Sequence, residues 1–339
     1  MVNIHTYISS SFKRSFLIIF IPFLTILSLF YLIKISMLTT KIDISLKDLF
    51  TLYSFFIPNI IFYTLPLSFV SALANTLSKL SQDNELIALF SLGIKAKRVL
   101  SAFLLLGTLF SLLLFTIAFF AMPTTEQLYQ SFKVDKKAEA KLNIKSGELG
   151  QKFGNYYIYV KETKDETYHD LVIYNRTGKN SEQFFASKTG QLNRNQLSTS
   201  LQLDEGYGYT YSDNKLQEIR YKKLEAFDTS STKHYKYQNI IEYWMEAKTD
   251  TKRMHRVIFF VFVSLIPFLS VMLVASFTII NPRYQKNHAF LVTFIVTIVL
   301  YLVATTLQKS GNLTILTIVS AGLLVLGYWL FKKRVTRYF

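Results

Sequence analysis

Long apolar runs dominate the chain, and they fall into two groups of three separated by a long polar segment. None of the runs contains an Asp, Glu, Lys or Arg. Each is roughly 20 residues or longer, enough for a helix to cross a hydrocarbon core of about 30 Å. The pattern predicts an α-helical integral membrane protein with six transmembrane helices in a 3+3 arrangement. The runs occupy residues 15–33, 49–78, 99–125, 257–280, 289–308 and 313–331.

A secretory signal peptide is the alternative interpretation of the first run, because Lys13 and Arg14 stand directly before it. The apolar part of a signal peptide is shorter, however, and a small-residue cleavage site follows it. Neither feature is present here, so we predict a true transmembrane helix.

The polar segment 126–256 changes its pattern along its length. It begins with a polar helical piece, EQLYQSFKVDKKAEAKLN, and continues with short runs rich in Tyr, Val and Thr, such as NYYIYVKE, DLVIYN and STSLQLDEGYGYTY. Gly, Asn and Asp separate these runs, as between the strands of an antiparallel sandwich or barrel. We therefore expect transmembrane helices 1–3 in 1–125, an inserted all-β domain with a helical lead-in in 126–256, and transmembrane helices 4–6 with a basic tail in 257–339.

Basic residues beside the apolar runs predict the orientation, because Lys and Arg collect in cytoplasmic loops. The loops on one side hold Lys34, Lys41, Lys47 and Lys309. More bases flank the runs on the other side: Lys13, Arg14, Lys79, Lys95, Lys97, Arg98, Arg283, Lys286, Lys332, Lys333, Arg334 and Arg337. We therefore predict cytoplasmic N- and C-termini and an extracytoplasmic inserted domain.

Composition excludes several classes of function. Half of the residues are hydrophobic and 18% are charged, as expected for a membrane protein. The net charge of +16 would suit nucleic acid, but the bases flank apolar runs and form no basic, aromatic patch. There is no cysteine, and the five His lack HxH or HxxxH spacing. We predict no nucleic-acid partner, no metal site and no cofactor.

No GxxxxGK[ST] motif or other nucleotide-binding signature is present in the chain. Such a glycine-rich loop is what cradles the phosphates of ATP. We therefore predict that the chain is not an enzyme, and that any energy for transport comes from a partner.

The stretch SKLSQDNELIALFSLGIKAKRVL, residues 78–100, is too polar to span a membrane and too regular for a turn. Helix-capping residue types precede NELIALFSL and Gly93 follows it, which predicts a short helix at about 82–93. Leu86, Leu89 and Phe90 share one face, with Glu85 at its N-terminal end. A helix on a lipid surface is one interpretation, but such helices usually carry bases. An acidic end with an apolar stripe favours insertion into a groove on a cytosolic partner.

Three motifs occur in order on this layout: NELIALFSLGI at 84–94, KAEAKLNIKSGELGQKF at 137–153 and INPRYQK at 280–286. With the 3+3 layout they resemble the LptF/LptG family of lipopolysaccharide export permeases over essentially the whole chain. The first is similar to the family's coupling helix and the second to the start of its periplasmic β-jellyroll. The NPR of the third resembles the LptF branch.

This resemblance implies one half of an ATP-binding-cassette exporter in the bacterial inner membrane, which moves lipopolysaccharide from the outer leaflet to a periplasmic bridge. The implied partners are a cytosolic ATPase dimer (LptB-like), a second permease (LptG-like), a single-span jellyroll protein (LptC-like) and the bridge protein (LptA-like).

Particular residues acquire roles by the same resemblance. Glu85 would seat the coupling helix, with Leu86, Leu89 and Phe90, in the ATPase through a charge-assisted contact. Cations at the outer ends of the helices would bind lipid phosphates, or else only extend to the membrane interface. These substrate candidates are Lys34 and Arg256, followed by Lys41 and Lys309.

Three other functions stay open at this point. A membrane sensor with a ligand-binding β domain would need a cytoplasmic output module, and the chain offers short loops and the tail KKRVTRYF. A permease for another lipid or a lipoprotein is the second alternative. Permeases of the macrolide-exporter or lipoprotein-release class usually have four spans with the large domain after the first, whereas here it follows the third. A scaffold without transport is the third.

Overall fold

The computed structural model describes residues 4–39, 45–142, 146–153, 156–164, 167–176, 181–195, 198–212, 215–227, 237–282 and 286–336. They divide into two compact units. The helical unit comprises Met1–Met37, Leu46–Gln127 and Tyr237–Phe339, and the sheet unit comprises Leu38–Ser45 and Leu128–Lys236.

Six helices are long and apolar enough to span a membrane, which confirms the prediction. Their bounds are Ile4–Met37, Leu46–Gln82, Ala96–Lys136, Thr251–Thr278, Ala289–Ser310 and Leu313–Thr336. The third is longer than its apolar run because the helix continues past residue 125 into the polar lead-in. The fourth begins six residues before its run, since Asp250 caps it by accepting a hydrogen bond from the Lys252 N–H.

The described helices are numbered in chain order. They are α1 (Ile4–Thr39), α2 (Leu46–Gln82), α3 (Glu85–Ser91), α4 (Ala96–Thr116), α5 (Met122–Leu142), α6 (Ile240–Met245), α7 (Thr251–Thr278), α8 (Ala289–Ser310) and α9 (Leu313–Phe331). A π-helical turn, Ile117–Ala121, joins α4 to α5, and another, Lys332–Thr336, follows α9. We call the end where α2 meets α3 the α3 side, and the end where α5 leaves and α6 returns the insert side.

Helices α2 and α7 form the buried centre of the helical unit, whereas α1 and α9 expose most of their apolar side chains. Close packing at the centre depends on small residues. A Cβ at Gly107 of α4 would lie 3.1 Å from the Pro267 carbonyl oxygen of α7. One turn on, the Phe268 N–H donates to Ser111 Oγ at 3.3 Å. Small residues allow this approach, which suits a bilayer where helices associate by packing and hydrogen bonds.

Among the described residues, the sheet unit contains one six-stranded antiparallel sheet, which confirms the predicted inserted all-β domain. Each strand pairs with its neighbours in sequence, in the order β1 to β6. The strands are β1 (Gln151–Phe153), β2 (Tyr156–Lys164), β3 (Thr167–Arg176), β4 (Ser181–Asn195), β5 (Ser198–Ser212) and β6 (Lys215–Phe227).

On each of strands β2 to β6, one charged residue interrupts the regular pairing with the neighbouring strands. These residues lie side by side and form a row of alternating charges across the sheet. On β5, the buried residues just before Glu205 are Leu201 and Leu203, and those just after it are Gly206 and Gly208. The buried positions therefore change from odd-numbered to even-numbered residues at Glu205. Side chains from both halves of the strands therefore share one apolar core. Asp170 and Glu205 of this row have positive φ, a conformation unusual outside glycine. The row consists of Lys161, Asp170, Lys188, Glu205 and Lys222.

Gly206 is required at the centre of this core. A Cβ there would lie 2.2 Å from the Ala186 carbonyl oxygen and 2.4 Å from the Tyr221 hydroxyl. The Tyr221 hydroxyl donates to the same carbonyl at 3.0 Å. The absence of a side chain at Gly206 therefore leaves room for a buried tyrosine to cross the sheet.

Candidate functional site

A short helix lies within the predicted range 82–93, between two reversals of the chain, and its coupling role stays a prediction. Asn84, with φ 60°, turns the chain out of α2, and α3 runs from Glu85 to Ser91. Gly93, with φ 82°, ends it, and the Ile94 N–H donates to the Leu89 carbonyl at 3.2 Å. A left-handed glycine is a common helix ending because it has no Cβ to clash.

The predicted apolar stripe of α3 faces the chain's own membrane helices. Leu86 is 1% exposed, and Leu89 and Phe90 pack against the same core of the helical unit. Outward lie Ala88, Ser91 and Leu92, and Leu92 is 77% exposed. The stripe therefore holds α3 against the bundle, and a different set of side chains is presented outward.

Glu85 lies between α3 and the first membrane helix. The Tyr7 hydroxyl of α1 donates to Glu85 Oε2 at 2.5 Å, across 78 positions of sequence. Glu85 is half-buried, whereas the neighbouring acid Asp83 is exposed. This hydrogen bond ties the beginning of α1 to the beginning of α3.

Ser81 connects the end of α2 to the end of α7, close to the INPRYQK motif. Its buried hydroxyl donates to the Thr278 carbonyl at 3.1 Å and accepts from the Ile280 N–H at 3.4 Å. Residues 283–285 of that motif lie outside the described residues. Ser81 has a residue type that favours helix capping, but its hydroxyl instead links the end of α2 to the end of α7.

Lys34 lies on the insert side, exposed and beside aromatic rings. Its Nζ is 5.6 Å from the ring centroid of Tyr31 in α1 and 5.5 Å from that of Phe56 in α2. A cation over an aromatic face is attracted by the ring quadrupole. The two rings therefore help to position the Lys34 ammonium.

Arg256, the other leading cation, is engaged by a carboxylate. Its Nη1 lies 2.9 and 2.7 Å from Oε1 and Oε2 of Glu126 in α5. The Tyr243 hydroxyl of α6 donates to the same carboxylate at 3.2 Å. Burial, followed by the charge of Glu126, raises the pKa of Tyr243, so the hydroxyl keeps its proton and remains a donor.

Further contacts of α6 complete what we call the insert-side cluster. Arg253 stacks on the Tyr243 ring at 4.4 Å and pairs with Glu246 at 2.6 Å. The Trp244 indole N–H donates to the Phe119 carbonyl at 2.9 Å. Phe119 belongs to the π-helical turn after α4, where the helical hydrogen-bond ladder is irregular. The cluster comprises Glu126, Gln127, Gln238, Tyr243, Trp244, Glu246, Arg253 and Arg256.

The remaining predicted cations are placed separately. Lys309 is exposed in the last turn of α8, also on the insert side. Lys41 lies outside the described residues. Lys34 is held by α1 and α2, and Arg256 by α5, α6 and α7. Sequence reasoning missed Glu126 and Trp244, although tryptophan is a residue type enriched at membrane interfaces.

Comparison with known proteins gives one match that covers nearly the whole chain. The model of the family described as "Lipopolysaccharide export system permease LptF/LptG" matches residues 6–332. No curated protein matches the chain. The matched range includes α3, the sheet and both groups of membrane helices.

Proposed function

This chain is a multi-pass inner-membrane protein of the LptF/LptG family of lipopolysaccharide export permeases, and we propose that it is the permease subunit of an ATP-driven exporter. The subunit extracts lipopolysaccharide from the outer leaflet and passes it to a periplasmic bridge. The N- and C-termini lie in the cytoplasm, and the α3 side faces the ATPase.

The observation that carries this proposal is the construction of α3. The helix packs against the membrane helices through Leu86, Leu89 and Phe90. A movement of α3 is therefore transmitted directly to the helical bundle and not through a flexible loop. Its outward side presents Leu92, an exposed apolar side chain of the kind that a groove on a partner buries. The helix therefore has one side for attachment and one for docking.

Glu85 supplies the charge of this contact in our proposal. Tyr7 donates to Glu85 Oε2, and we propose that the other carboxylate oxygen accepts from a basic residue of the ATPase. A hydrogen bond between two ionised groups is about twice as strong as a neutral one. Tyr7 thus orients Glu85 and links the contact to the first membrane helix.

We propose Lys34 as the principal ligand of lipid phosphate, with Lys309 and Lys41 in support. Lys34 is exposed and lies beside aromatic rings, whereas Arg256 is paired with Glu126. A phosphate reaching Arg256 would have to displace a carboxylate that contacts it through both oxygens. Arg256 is therefore the weaker of the two leading candidates.

The complex that we propose contains an LptB-like ATPase dimer, an LptG-like second permease, an LptC-like single-span protein and an LptA-like bridge. The NPR at 281–283 favours the LptF branch for this chain. The excess of Lys and Arg beside the apolar runs on the α3 side favours the proposed orientation, with that side in the cytoplasm.

The test replaces Glu85 by alanine in membranes that contain the assembled exporter. ATP-driven lipopolysaccharide release and copurification of the ATPase should both fall sharply. Asp83→Ala is the matched control, because Asp83 is an exposed acid two residues away. Unchanged assembly and unchanged release in Glu85→Ala would overturn the coupling role. If the intact complex released another lipid in place of lipopolysaccharide, the proposed substrate would be wrong.

A further inference from the structure

Helix α6 is short, yet it is well defined at its beginning. Asn239 Oδ1 accepts from the Ile240 N–H at 3.1 Å, and the Asn239 N–H donates to Glu242 Oε2 at 3.3 Å. This reciprocal capping satisfies backbone groups that a single turn of helix would otherwise leave without partners. The side chains of α6 therefore have fixed directions.

One side of α6 contacts the membrane helices at two depths. Tyr243, 6% exposed, reaches Glu126 and is 3.5 Å from Arg256. Trp244 reaches deeper: its ring centroid is 5.1 Å from Phe119 and 6.2 Å from Phe260. Both partner rings belong to apolar runs that are predicted to span the bilayer.

Glu126 and Arg256 mark the boundary of the hydrocarbon on the insert side. The uncharged run of the third span ends at residue 125, and that of the fourth span begins at residue 257. Phe260 lies four residues inside this limit, roughly 6 Å along the helix at 1.5 Å per residue. Since α6 touches residues on both sides of the boundary, it lies at the level of the membrane surface.

The opposite side of α6 is apolar and exposed. Ile241 is 69% exposed and Met245, one turn later, is 56% exposed. Residues four apart share a face of a helix, and this face is about half a turn away from Tyr243. Exposed bases, Lys248 and Lys252, follow shortly after it.

We propose that α6 is an interfacial anchor whose Ile241 and Met245 side chains insert into the acyl boundary of the lipid leaflet on the insert side. Three features favour lipid as the occupant: the depth set by Trp244 and Phe260, the paired apolar side chains, and the neighbouring bases, which suit lipid phosphates. The insert-side cluster holds the helix on its inner side. This inference rests on the membrane fold and not on the proposed substrate.

The test uses the absence of cysteine from the chain, which permits labelling at one introduced cysteine without background. Nitroxide labels are placed in Ile241→Cys and Met245→Cys in the full chain, reconstituted in lipid bilayers. Oxygen concentrates in hydrocarbon and a water-soluble nickel chelate is excluded from it, so their relaxation effects report depth. Both labels should be relaxed more by oxygen than by the chelate.

Two further labels calibrate the measurement. Leu105→Cys lies on an exposed face of α4 within a membrane-spanning segment, and Lys164→Cys lies on an exposed strand end of the sheet. The first should report hydrocarbon and the second water. If the labels at 241 and 245 behave like the label at 164, or if both reagents are excluded because protein covers them, the lipid anchor is disproved. These outcomes do not bear on lipopolysaccharide transport.

Discussion

Arg256 and Glu126, 130 positions apart in sequence, form an ion pair that joins the helix leading into the inserted domain to the helix that follows it. The arginine is 45% and the glutamate 39% exposed. Such a pair is partly solvated, and its net contribution to stability is of the order of 1 kcal/mol or less. The pair is therefore important because it connects α5 to α7, and less because of its contribution to stability.

We predict that this pair behaves as a structural connection that tolerates exchange of its charges. Glu126→Arg and Arg256→Glu should each lower the melting temperature, and the double variant should recover part of the loss, with a coupling of about 0.5–1 kcal/mol. The double-mutant cycle is measured by thermal unfolding in detergent. Lys188 and Glu205, which are 77% and 70% exposed, form the control pair with a coupling near zero. Additive single effects at 126 and 256 would contradict the prediction.

Lys34 is expected to bind through its charge. Lys34→Glu should weaken crosslinking to lipopolysaccharide roughly tenfold, the effect of losing about 1.4 kcal/mol. Lys34→Arg should retain most of it, because the cation and its stacking on Tyr31 and Phe56 are preserved. Crosslinking from a photoreactive residue nearby measures the effect. Equal crosslinking in Lys34→Glu and the unchanged chain would contradict a phosphate contact. Arg256→Gln should reduce crosslinking less than Lys34→Glu does.

Leu92 is expected to contribute to docking and not to stability. It is 77% exposed, so Leu92→Asp should leave the melting temperature of the permease unchanged. If the side chain is buried by the ATPase, its loss weakens assembly by about 1.5–3 kcal/mol, tenfold or more. Copurification at graded ATPase concentrations measures this. Leu216→Asp, exposed to 67% in the sheet, is the control and should assemble normally. Normal assembly of Leu92→Asp would show that this face of α3 is not the docking surface.

Gly206 is expected to be intolerant of a side chain. Gly206→Ala places a Cβ against the Ala186 carbonyl and the Tyr221 hydroxyl, and overpacking of this kind costs about 1–3 kcal/mol. Faster proteolysis within the sheet should reveal the loss. Gly322→Ala is the control, because the added Cβ meets nothing within 4 Å apart from its own helix backbone and chain neighbours, and alanine favours the helix. Resistance of Gly206→Ala equal to that of the unchanged chain would mean that the strands adjust at no cost.

Local patterns were sufficient for much of the fold. A run of apolar residues spans a bilayer whatever its neighbours are, because every backbone group is satisfied within the helix. The alternation and turn residues of 146–227 likewise predict strands from spacing alone. The contacts of the candidate site could be predicted less well from the sequence. Leu86, Leu89 and Phe90 form a stripe in the sequence, but hydrophobic spacing does not tell whether a stripe faces a partner or the chain's own core.

The sequence by itself determined the six apolar helices, the inserted all-β segment and the short helix with Glu85, since each depends on residues close together in the chain. Only the tertiary structure decided that Leu92 faces outward, that Tyr7 donates a hydrogen bond to Glu85, and that Arg256 is paired with Glu126 while Lys34 lies beside aromatic rings. The physical reason is distance along the chain. Contacts between residues 78 or 130 positions apart arise from helix packing, and packing depends on the shape of every surface that meets.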